Sequence, residues 1–98
     1  MVDIKQAEAA FTKISNNAPS SALRKAAAKY WSAYSSDAGA TEAEGSQFQL
    51  AIEGIPVDYR TPAMKCLEAF NSCKEQGDNT SDCYLNLAIE LAERVVHG

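Results

Sequence analysis

Ser81-Asp82-Cys83-Tyr84-Leu85-Asn86-Leu87-Ala88-Ile89-Glu90-Leu91-Ala92-Glu93-Arg94-Val95-Val96 is the stretch whose reading decides the fold. Set at 100° per residue, its apolar side chains cover about 240° of a helix, and Asp82, Asn86, Glu90, Glu93 and Arg94 form the remaining polar edge. A surface helix needs a much narrower apolar stripe. This one is expected either at the centre of a monomer, with the other helices around it, or against its own hairpin mate and a second subunit. In the second arrangement Leu85, Ile89 and Val96 would contact the other copy, since isologous dimers commonly use one broad apolar face.

The segment before it is its hairpin mate. Thr61 followed by Pro62 predicts a helix start, with Thr61 as the cap and Pro62 at the first helical position, where a missing amide hydrogen costs nothing. Ala63, Cys66, Leu67, Phe70 and Cys73 then recur at helical spacing, and Gly77 supplies a left-handed stop. Thr80 or Ser81 is the expected cap of the last helix. Two antiparallel helices turning near residue 78 align positions whose numbers sum to about 156, each residue advancing about 1.5 Å. Cys73 thereby faces Cys83, and Cys66 faces the neighbourhood of Glu90 as the odd free thiol. The three cysteines are either small buried apolar residues or, for Cys73 and Cys83, a disulfide that pins the hairpin.

Farther toward the N-terminus the same rhythm continues. Ile4, Ala7, Ala10, Phe11 and Ile14 mark a helix over about residues 3–16. After Asn16-Asn17-Ala18-Pro19, Ser20 or Ser21 caps a second helix with Leu23, Ala26, Ala27, Tyr30, Ala33 and Tyr34 inward and Arg24, Lys25 and Lys29 outward. Trp31 falls on the boundary of that stripe. Small, polar residues 35–41 predict a flexible loop, and Thr41 with Glu44 reads as a capping box opening a third helix over about 42–54. Gly45 weakens that helix, and Gly54 and Pro56 end it. The expected fold class is all-α: one domain over residues 1–98, an irregular bundle of four to five short helices whose last two form an antiparallel hairpin.

Composition and charge narrow the function classes. With 46% apolar and 22% charged residues the chain is an ordinary globular protein. Residues 1–36 carry five basic groups against two acidic, net +3, while residues 37–98 carry four against eleven, net −7. These charges are read as solvated outer faces or as a docking surface for a partner of opposite sign. The overall −4 opposes a phosphate backbone, so no nucleic acid is expected. The polar N-terminal residues lack a secretory pattern and no apolar run is long enough to span a bilayer, which predicts no membrane and a cytoplasmic chain with reduced thiols.

Catalytic constellations are missing from the pattern. The one histidine, His97, lies about 20 Å along the last helix from Cys83, too far to complete a zinc site with Cys66, Cys73 and Cys83. It reads as a surface residue four positions after Glu93. No histidine falls in the expected core for a triad, no Glu-x-x-His pair supports a di-iron centre, and no glycine-rich phosphate loop appears. The sequence therefore implies no enzyme, no metal and no cofactor. The leading expectation is a non-enzymatic interaction or regulatory module, homodimeric or bound to a protein partner, with Arg24, Lys25 and Trp31 as further contact residues because Trp and Arg dominate interface hot spots. A thiol-responsive protein using Cys73 and Cys83 is the alternative. Binding of a small ligand between helices would require a pocket beside Tyr30 and Tyr84, which the sequence does not disclose.

Overall fold

A computed structural model describes residues 3–36, 39, 42–77 and 79–96. Five α-helices occupy nearly all of them: α1 Ile4–Asn17, α2 Ser21–Ser35, α3 Glu42–Glu53, α4 Arg60–Glu75 and α5 Thr80–Arg94, with one 3-10 turn, Val57–Tyr59, and no strand among the described residues. The all-α bundle and its terminal hairpin are as the periodicity implies. The capping-box residue Thr41, His97 and most of the expected 35–41 loop lie outside the described residues.

Helices α1, α2 and α5 each begin where a side chain satisfies free backbone amides. Asp3 accepts from the amides of Lys5 and Gln6 at the start of α1, and Ser20 accepts from Leu23 at the start of α2. Asn79 accepts from Ser81 and Asp82 at the start of α5, so the cap lies one position ahead of Thr80 and two ahead of Ser81, the two expected alternatives. The start of α4 differs more. It begins at Arg60 behind the 3-10 turn, so Thr61 lies inside the helix and Pro62 is its third residue. Proline is tolerated there because the first turn's amides have no intrahelical acceptor. After α4, Gly77 takes φ +81°, the left-handed conformation that lets the chain turn back.

The helices form a ring. α1 packs on α2, α2 on α3, α3 more lightly on α4, α4 on α5, and α5 closes the circuit on α1. α5 is thus not encircled by the other four helices: its close backbone neighbours are α1 and α4, and it reaches α2 and α3 through the Tyr84 ring. Ala7 and Ala10 of α1 and Ala88 and Ala92 of α5 are buried, and such small side chains let two helices approach closely. Inside the ring, Cys83, Leu85, Leu87, Leu91, Val95 and Val96 are each at most 2% exposed. One monomer therefore covers nearly the whole oily circumference of α5, and that circumference no longer calls for a second subunit.

An unbroken series of aromatic rings fills the middle and ties all five helices. Phe70 of α4 meets Tyr84 of α5 at 4.7 Å between centroids, Tyr84 meets Tyr30 of α2 at 5.2 Å, and Tyr30 meets Phe11 of α1 at 5.4 Å and Phe48 of α3 at 6.0 Å. Such offset and tilted pairs contribute about 0.5–1.5 kcal/mol each beyond the area they bury. Among the described residues no charged or amide side chain is buried, so the only polar atoms carried into this core belong to tyrosine and cysteine. Radius of gyration, 12.0 Å, agrees with the roughly 13 Å of a close-packed 100-residue chain. No described helix is long and apolar enough to cross a membrane.

Candidate functional site

A hollow of about 370 Å³ opens where the aromatic series reaches the surface, at the end of the bundle that holds the α4–α5 turn. Tyr30 and Tyr84 are its aromatic wall. α3 contributes Glu42, Ser46 and Gln49, spaced one turn apart along one face, while Lys74 from the last turn of α4 and Thr80 and Ser81 from the first turn of α5 complete the rim. This is a small polar cleft with an aromatic floor, bearing one carboxylate and one ammonium on different helices.

Gly45 is what lets Tyr84 form that floor. A methyl group at Gly45 would lie 2.6 Å from the Tyr84 ring and 2.7 Å from its hydroxyl oxygen, so the ring rests directly on the α3 backbone. Read in the sequence as a weakness of α3, this glycine is buried and gives up helix propensity for close approach. Lys74 is held nearby, its ammonium 5.2 Å from the centroid of the Phe70 ring.

Both tyrosines are fixed as neutral hydroxyls. Burial pushes the Tyr30 phenol well above its ordinary range, proximity of Tyr84 and Tyr34 adds to the rise, and a hydrogen bond with the Ser81 side chain partly offsets it. Burial likewise raises Tyr84, and the Glu42 carboxylate reinforces it. Neither hydroxyl can act as a base near neutrality. Both remain donors that also accept, suited to holding a polar group and not to removing its proton.

A second hollow, about 240 Å³, runs between α4 and α5 on the other side of the hairpin and is lined by Cys66, Phe70, Leu87, Ile89 and the paired Cys73 and Cys83. Cys73 and Cys83 are joined by a disulfide with their α-carbons 5.8 Å apart. The antiparallel register predicted from the turn holds, including Cys66 beside Glu90. This bond replaces the reduced thiols expected of a cytoplasmic chain. Cys66 is buried and free, its thiol pushed up to about 11 chiefly by burial and further by Glu90.

Comparison with known protein families, curated proteins and solved structures gives no match. The cleft has to be read from its own chemistry.

The residues expected to contact a partner do not come together. Leu85 and Val96 are fully buried in the monomer's core, a correction to their expected place on a docking face, because α1 and α4 already cover that side of α5. Ile89 is half-buried between α4 and α1, lining the disulfide slot and a shallow groove with Ala10 and Ala92. Trp31 stacks on Phe11 at 5.3 Å and on Tyr34 at 5.4 Å, which makes it a flank of the aromatic series. Arg24 donates from its guanidinium to the carbonyl of Ala18 at 2.6 Å and straps the end of α1 to α2. Lys25 alone of the six is exposed. The Arg94–Glu90 pair, 2.8 Å, runs along one exposed face of α5. Among the described residues no cluster of histidine, cysteine or carboxylate is assembled that could hold a metal.

Sequence reasoning named Tyr30 and Tyr84 but missed Glu42, Ser46, Gln49 and Lys74. One signal was present: Glu42, Ser46 and Gln49 fall at i, i+4 and i+7, a polar stripe beside the apolar one. Nothing in the chain placed that stripe opposite the α4–α5 turn.

Proposed function

We propose that this chain is a small non-enzymatic recognition and regulatory module, and that the cleft beside Tyr30 and Tyr84 is its binding site. Its ligand is a small polar molecule carrying both a cationic and an anionic group, of free amino acid size. The observation that carries this reading is the composition of the 370 Å³ hollow: Glu42 and Lys74 on separate helices, hydroxyls from Ser46, Thr80 and Ser81 between them, and two tyrosine rings behind. Its size lies at the small end of the range for ligand clefts, about 300–1,000 Å³. An ammonium on the ligand would meet Glu42, and a carboxylate would meet Lys74 and the positive end of α5. Recognition by two opposed charges also excludes molecules that carry only one of them.

Titration of the oxidised protein with free L-amino acids, followed through backbone amide resonances, tests this. Saturable shifts are expected at Ser46, Gln49, Thr80, Ser81 and Tyr84, with affinity reduced about tenfold in Lys74→Ala and in Glu42→Gln, the loss of one charge-assisted bond. Acetate and methylammonium, each half of a zwitterion, should bind far more weakly. Absence of saturation by about 10 mM with every amino acid, already a marginal affinity, would remove the proposal.

A second reading is favoured by a separate observation, the Cys73–Cys83 bond. A thiol-responsive role and a binding role are compatible in this fold, because the bond and the cleft share the same turn of chain.

A further inference from the structure

We infer that the Cys73–Cys83 bond is a reversible latch on the cleft, opened by a dithiol whose first sulfur attacks Cys73. This regulation rests on reading the cleft as a recognition site, although the coupling of bond to cleft can be measured without any ligand.

The first support is position. Lys74, Thr80 and Ser81 lie inside the loop that the bond closes, and Tyr84 is the residue after Cys83. Every cleft residue drawn from α4 and α5 is thus within or next to the closed loop, whereas Glu42, Ser46 and Gln49 stand on α3 and do not depend on it. With the bond broken, the last turn of α4 and the first turn of α5 are free to separate, and the two sides of the cleft lose their register.

The second support is access. The disulfide lies on the wall of the slot between α4 and α5, whose mouth carries exposed Asn86 and half-buried Glu90. Cys73 is partly exposed and Cys83 is fully buried, so an incoming thiolate reaches the Cys73 sulfur. The new bond forms between that thiol and Cys73 as the Cys73–Cys83 bond breaks. Cys83 leaves as a thiolate in the first turn of α5, where the helix N-terminus stabilises negative charge, and then takes a proton from water. The dithiol's second sulfur attacks the first and releases Cys73 as a thiol, so the protein gains two thiols and the dithiol becomes a cyclic disulfide. Cys66 does not compete, because it sits two helical turns from Cys73, roughly 10 Å along α4 and beyond bonding reach.

The test follows tyrosine ring resonances and amide exchange in the full chain before and after dithiothreitol, with thiol counting to confirm reduction. Reduction is expected to shift the Tyr84 and Tyr30 ring signals and to speed amide exchange in residues 79–84 tenfold or more, while the Phe11 and Trp31 rings and the helical circular dichroism hold. Cys73→Ser/Cys83→Ser should reproduce the reduced state without reductant. With glutathione, the trapped mixed disulfide is expected on Cys73. Three outcomes overturn the latch: a bond that yields only after denaturation, Tyr30 and Tyr84 rings unmoved by full reduction, or loss of helicity throughout the chain. Failure of amino acids to bind the oxidised protein would instead strike the ligand reading and leave these results standing.

Discussion

Gly45 illustrates at the level of one residue how a locally unfavourable choice supports the site. Alanine there improves the helix by about 1 kcal/mol, but its methyl group would overlap the Tyr84 ring, and overpacking costs about 1–3 kcal/mol. Tyr84 has no easy escape, since Phe70 and Tyr30 hold its other sides. Gly45→Ala is therefore expected to change unfolding free energy by no more than about 2 kcal/mol in the destabilising direction, the difference of those two effects, while displacing Tyr84 and lowering amino acid affinity at least tenfold. Denaturant unfolding and the amide titration check the two halves separately; a Gly45→Ala variant that binds as well as the parent would show that the ring's seat on α3 is not needed. Cys66 carries a second prediction at this scale. Burial holds its thiol up to about 11, so at pH 8 it should resist alkylation in the native protein by about 100-fold relative to the unfolded chain, reflecting its smaller thiolate fraction. The raised value also means that its contribution to stability is complete below pH 9 and fades as pH rises from 9 through 11.

At the level of elements, the α4–α5 hairpin was the most legible part of the fold. Gly77 announced the turn, and a rise of about 1.5 Å per residue was enough to set Cys73 against Cys83 and Cys66 against Glu90. The start of α4 was less legible, because Thr61-Pro62 satisfies the local rules for a helix start while the chain uses Val57–Tyr59 as a 3-10 lead-in and starts two residues earlier. Local capping rules cannot distinguish proline at the first helical position from proline at the third, as both lack an acceptor for the missing hydrogen. The hairpin also has a measurable energetic signature. A disulfide closing so short a loop stabilises by about 2–3 kcal/mol, chiefly by restricting the unfolded chain. Cys73→Ser/Cys83→Ser is expected to lose that amount in urea unfolding, with Tm lower by roughly 4–8 °C for each kcal/mol. Since a domain of this size typically holds about 5–15 kcal/mol, the variant should remain folded, as a latch requires. A loss near zero would mean that the reduced hairpin is already closed by packing alone, leaving the bond nothing to constrain.

For the whole molecule, the broad apolar face of α5 had two readings, and the ring of helices decides between them in favour of burial within one chain. Which helix closes the ring could not be read from periodicity, because a stripe identifies the face to be buried and not the neighbour that buries it. The cleft was hidden for the same reason: its residues come from four helices, and only the ring brings Glu42 and Lys74 to one opening. That the core's polar atoms are tyrosine and cysteine has a consequence for the entire fold in alkali. Tyr30 is fully buried at the crossing of the aromatic series, and its phenol titrates well above an unfolded tyrosine, which ionises near pH 10. Between those two values the folded state holds a proton that the unfolded state has lost, so stability is level below about pH 10 and falls as pH climbs toward the folded value. Tyr84, raised in the same direction, steepens the fall. Tyr30→Phe removes the ionisable group and the Ser81 bond together. It is expected to cost about 1 kcal/mol at pH 7, where only the hydrogen bond matters, and to flatten the decline above pH 10. Urea midpoints measured from pH 7 to 11.5 for parent and variant give both quantities, and parallel declines in the two proteins would mean that proton retention by Tyr30 does not set the alkaline limit of this bundle.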